Sequence, residues 1–178
     1  MHHTAHPDSL ASAAAMACSG LVLAALVPGA LWLVRRAPLW ERVSLPAGVA
    51  LPLLVLTHAW AVLGDMVGLT PPGGAFLTEP ALLAAAVVFR LPVLAHTRHR
   101  LSDPGRCLCL FLAAPLLDLP AVGVVAAGHS LEGLAMIVAM LPVGGAAVAV
   151  TWAWVNREER MAAHALALPA GDGDLRAP

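Results

Sequence analysis

The chain has no lysine and no tyrosine, aromatic residues make up 4% of it, and charged residues make up 12%. A soluble globular domain carries about 25% charged residues, so this composition cannot clothe a water-facing surface of ordinary size. Ten arginines stand against eleven acids, for a net charge of −1. That balance leaves no basic face, and nucleic-acid binding is excluded on charge. Three cysteines, Cys18, Cys107 and Cys109, are too few for a disulfide framework. The sequence also has no glycine-rich phosphate loop, no nucleophile elbow and no HExxH pair, which removes NTPase and ordinary hydrolase chemistry.

What is present is apolar: 60% hydrophobic residues and a mean hydropathy of +0.81. An all-α, polytopic membrane helix bundle is the expected fold class. Five spans are expected, at about 10–34, 45–67, 80–96, 107–127 and 133–155, because roughly 20 apolar residues match the hydrocarbon thickness. The N-terminal stretch 1–9, MHHTAHPDS, lacks the basic n-region of a signal peptide, so the first span is expected to stay uncleaved as the end of an extracytoplasmic N-terminus. Residues 156–178 are expected to form a cytoplasmic, partly disordered tail.

Arginine placement gives the orientation. Arg35, Arg36 and Arg42 fall in the first loop, Arg98, Arg100 and Arg106 in the third, and Arg157, Arg160 and Arg176 in the tail. The N-terminus and loops two and four have none, so the positive-inside rule puts the N-terminus out and the C-terminus in. Heavy use of Ala, Arg, Pro and Gly points to a high-GC bacterial genome, and hence to the bacterial plasma membrane. The lipid bilayer is the first partner, and other membrane subunits are the second.

Polar residues inside the spans are the candidates for function. Span 45–67 carries His58 near its middle; its ten Leu and Val residues contribute about −0.3 to −0.6 kcal/mol each on insertion, enough to bring the imidazole along. At about 1.5 Å of rise per residue, His58, Arg90 and Asp118 fall within roughly 6 Å of one another in depth. An arginine or aspartate at a helix centre costs about 2.5 to 3.5 kcal/mol, so the expected arrangement is an Arg90–Asp118 ion pair with His58 as a third member.

A second set lies toward the outer surface. His129, Glu132, Met136 and Met140 follow helical spacing down one stripe of the last span, and His58 and Asp65 share a face of the second. Met66, Met16 and Cys18 lie at similar depth. Thioether, thiolate and imidazole are the ligands that select copper(I), so the metal candidates are His58, Asp65, Met66, His129, Met136, Met140 and His3. His3 enters through a square-planar copper(II) site built with the free amine and intervening amides. Cys107 and Cys109 point about 200° apart on a helix and cannot chelate together there. Haem is the weaker cofactor, since axial ligation needs a second histidine at the depth of His58, whereas His96 lies near the inner surface and His129 near the outer.

The closing segment LEGLAMIVAMLPVGGAAVAVTWAWVNREER resembles the last span of the bacterial membrane family that assembles the copper centre of cytochrome c oxidase. Gly133, Leu134 and Met136 fall on its G-L-x-M start, Trp152 or Trp154 on its cytoplasmic-edge tryptophan, and Glu158 to Arg160 on its charged tail. The resemblance covers about thirty residues and implies extracytoplasmic copper binding or delivery in oxidase assembly. The rival expectation is a non-catalytic accessory subunit whose Arg/Asp/His layer only fixes helix packing.

Overall fold

The computed structural model describes residues 7–64, 66–69, 74–95 and 97–167. Among them regular structure is entirely helical. Helix α1 (Pro7–Leu21) runs through a π-helical turn (Val22–Leu26) into α2 (Val27–Val34), making one continuous apolar rod. The π turn has a local cause. Pro28 has no N–H for the Ala24 carbonyl and its ring would collide with that carbonyl, so the helix widens in the turn before it, and the Val27 N–H reaches back to the Val22 carbonyl. The short α3 (Trp40–Val43) follows, then α4 (Ala47–Leu63), α5 (Ala75–Leu94), α6 (Asp103–Ala126) and α7 (Ser130–Ala167).

Four stretches are long and apolar enough to cross a membrane: Leu10–Val34, Phe76–Leu94, Asp103–Ala126 and Ser130–Leu166. The expected count of five is corrected to four at this standard, because span 45–67 is trimmed at both ends. Pro46 is extended (ψ 142°) and starts α4 one residue later, while Gly64 opens a turn closed by the Leu69 N–H on its carbonyl at 2.8 Å. The remaining helix, Ala47–Leu63, has 17 residues. At about 1.5 Å per residue it is roughly 25 Å long, against about 30 Å of hydrocarbon.

Other boundaries move outward. α5 begins at Ala75 after Gly74, whose positive φ of 56° suits a residue without a Cβ. Ser102 caps α6 by accepting the Gly105 N–H at 3.4 Å, with Pro104 in the first turn, so the helix starts before Cys107 and holds both Cys107 and Cys109 as buried residues. α7 continues past Val155 to Ala167 because the NREERMAAHALA run is rich in good helix formers.

The helices close into a ring. α7 packs on α6 and α1, α6 on α4, α4 on α5, and α5 on α2, which returns to the first rod. The α6–α7 turn is tight: Gly128 (φ 96°) reverses the chain and the His129 N–H donates to the Val124 carbonyl at 3.2 Å. Inside the ring Leu54, Phe89, Leu110, Ala113 and Val143 are buried. Outside it Leu56, Leu108, Leu119, Val138 and Val148 are exposed, the apolar surface that a lipid-facing rim requires.

One end of the ring is cross-linked. Ser44 donates to Thr97 at 3.0 Å, and Asp103 accepts from Arg157 at 2.8 Å and from Arg106 at 3.5 Å. The three arginine-bearing segments therefore meet at that end, and the α6–α7 turn and the C-terminal end of α4 lie at the other.

Candidate metal centre

At the arginine-poor end a cavity of about 320 Å³ lies among α1, α4, α5 and α7. Each helix brings a face to it. Met16, Ser19, Gly20 and Leu23 recur at helical spacing on α1, and Met136 and Met140 stand one turn apart on α7. α4 contributes His58, Trp60, Ala61 and Val62, and α5 contributes Thr78, Glu79 and Leu82.

Gly20 sets the depth of the α1–α7 contact. A Cβ placed there would lie 2.8 Å from the Ala139 Cβ and 3.8 Å from the Met140 methyl, so only glycine lets the two helices come this close. That approach brings Met16 of α1 and the two methionines of α7 to one wall. Above the π turn α1 stands off from α5, and the gap is a second cavity of about 270 Å³ lined by Cys18, Val22 and Leu83. It shares Ser19, Leu23, Glu79 and Leu82 with the first, so the two adjoin.

His58 is 3% exposed; its imidazole lies near the Leu117 backbone, and neither ring nitrogen makes a hydrogen bond of good geometry among the described residues. Arg90 is equally buried, and its Nε is also unpartnered. The two residues share a void of about 10 Å³ with Leu117, Met140 and Val143, immediately beneath the large cavity. Buried polar atoms without partners are uncommon, and these converge on one place.

The expected Arg90–Asp118 ion pair does not form; the three ion pairs among the described residues lie elsewhere. The reason is the facing of α6. Arg90 does reach α6, near Cys109, but α6 presents Leu117, not Asp118, to the void they share. Asp118 keeps one carboxylate oxygen buried and unpartnered on its own.

The structure therefore brings together His58, Met136, Met140 and Met16, and leaves other candidates apart. His129 is exposed and bonded through Nδ1 to Glu132 Oε2 at 2.8 Å, and Met66 is exposed; neither lines the cavity. His3, Asp65 and His96 lie outside the described residues. Glu79 was missed, because Pro80 read as the first residue of its span while the helix begins at Ala75. The Gly73-Gly74 pair before an apolar run was the available signal.

No three of His, Cys, Asp and Glu gather as a metal-binding group among the described residues. The donors at the cavity are instead thioethers with one imidazole and one carboxylate at the rim, a soft set suited to copper(I) and poorly suited to zinc or calcium. No family model, curated protein or solved structure matches this chain.

Proposed function

We propose that this chain is a multi-pass protein of the bacterial plasma membrane that binds copper(I) in its outer half and delivers it to an extracytoplasmic acceptor, with oxidase assembly as the setting. The observation that carries the reading is the shared cavity: three thioethers and a buried imidazole, drawn from three helices, face one space. Met16, Met136, Met140 and His58 would hold the cation, and Cys18 in the adjoining cleft would supply a thiol for exchange. In this reading α4 crosses as the fifth span, N-terminus out and C-terminus in. The meeting of the three arginine-bearing segments at one end supports that orientation.

The accessory-subunit reading asks the polar layer to lock helix register. Its Arg90–Asp118 pair is not made, which weighs for a site over an architectural role.

Copper(I) titration of the detergent-purified full chain against a coloured cuprous chelator tests the proposal. One tightly held equivalent is expected. Combined His58→Ala and Met140→Leu substitution removes two donors and should lower the affinity by more than the roughly 10–100-fold that outer-shell changes cost. Adventitious binding alone, indifferent to both substitutions, would overturn the reading.

A further inference from the structure

We infer that the cavity is a dead end for cations, closed from below by the charge of Arg90, so that the protein binds and releases copper(I) on one side and does not conduct it. This rests on the copper reading and specifies what the site does with its ligand.

Charge changes sign along the cavity. Glu79 stands exposed at the rim on α5, and Arg90 lies eleven residues further along the same helix, about 16 Å deeper. Between them His58 and Met140 line both the large cavity and the void that Arg90 shares. A cation is drawn toward a carboxylate at the mouth and meets a positive charge at the floor. Among the described residues no acidic side chain forms an ion pair with Arg90 and its Nε makes no hydrogen bond, so its charge is met by the Phe89 ring, 5.5 Å away, and the nearby Cys109 thiol and by no carboxylate. In a low-dielectric interior an uncompensated guanidinium is felt over several ångströms, and a fixed arginine is a recognised barrier to cations in narrow pores.

Sterics agree with charge. The open space falls from about 320 Å³ in the large cavity to about 10 Å³ at Arg90. Around and below it Phe89, Leu91, Leu110 and Val143 are fully buried; beyond His58 and Met140, the one soft donor near Arg90 among the described residues is the Cys109 thiol of α6, and Ser44 and Thr97 further down are bonded to each other. The way back is less obstructed: the cavity adjoins the α1–α5 cleft, where Cys18 is exposed.

The test uses silver(I) as the probe, with the full chain in detergent for affinity and in phosphatidylethanolamine/phosphatidylglycerol vesicles holding an internal thiol trap for flux. Wild-type protein should bind one equivalent, and its vesicles should trap no more silver than protein-free vesicles beyond that equivalent. Arg90→Gln should tighten binding on the order of tenfold, Arg90→Lys should remain on the wild-type side of that shift, and Glu79→Gln should weaken binding. Opposite responses at the two positions separate charge from packing. Silver accumulating inside wild-type vesicles would overturn the dead end while leaving the copper reading in place. Unchanged affinity in Arg90→Gln would remove Arg90 as its cause. Absence of any bound silver in wild type would sink both readings. Should Arg90→Gln fail to fold, the wild-type flux and the Glu79→Gln affinity still decide.

Discussion

The two halves of the ring are built from the same helices and nearly the same apolar residues, yet they are held differently. At the arginine-rich end side chains tie the segments together, through Ser44 and Thr97 and through Asp103 with Arg106 and Arg157. At the other end Gly20 brings α1 against α7, and α1 stands off from α5 and leaves space among them. The buried polar atoms without partners on His58 and Arg90 lie where the closed half meets the open one. Polar bonding is thus concentrated in one half, and unspent bonding capacity borders the cavity of the other.

If the open half carries the ligand and the closed half carries the architecture, substitutions should divide accordingly. The largest effect is expected at Gly20→Val, whose side chain must displace Ala139 at 2.8 Å. Overpacking of this kind costs about 1–3 kcal/mol, and because it forces α1 from α7 it should lower melting temperature and copper(I) affinity together. Tryptophan-fluorescence melting in detergent, paired with chelator competition, reads both; a stable variant with wild-type affinity would deny that this contact shapes the cavity. A smaller effect is expected at Ser44→Ala, which strips the buried Thr97 hydroxyl of its donor. The loss should be about 1 kcal/mol of stability, with affinity untouched. Weakened metal binding there would mean that the halves are coupled. The smallest is expected at Asp103→Asn. Its pair with Arg157 is half exposed, so the melt should move by less than about 1 kcal/mol equivalent, and less again at high salt.

Apolar runs made every long helix legible in the sequence, and arginine position anticipated which segments would gather at one end. Helix ends were harder, for reasons that can be named. Pro80 reads as a helix start, yet it is the sixth residue of α5, an interior site where it leaves the Phe76 carbonyl without its helical donor, and Gly74 starts the helix instead. The Ser102-Asp103-Pro104 signal for α6 was present but sits outside the apolar run that drew attention to Cys107. The methionine stripe of the last span could be read from spacing, and Met16 and His58 from depth, because a helix converts sequence number into height. Angular position around the ring was not readable in that way. Depth alone put Arg90 beside Asp118, whereas α6 turns Leu117 toward Arg90 and keeps the two apart. Depth likewise could not show that His129 would turn outward to Glu132.

The π turn at Val22–Leu26 has a meaning beyond accommodating Pro28. Each residue of an α-helix advances the azimuth by about 100°, and a π turn absorbs about one surplus residue without adding a full step of winding. It therefore acts as a phase shifter between two stretches of one rod. Leu31 below it is locked to the core, and Met16 above it looks into the cavity. Were the same residues wound as regular α-helix, that surplus residue would add its step, and the upper stretch would rotate by about 100° relative to the lower. Met16 would then face away from His58 while every side chain of the rod was still present, so the donor set of this protein is fixed by the winding of one turn as much as by the identity of its residues.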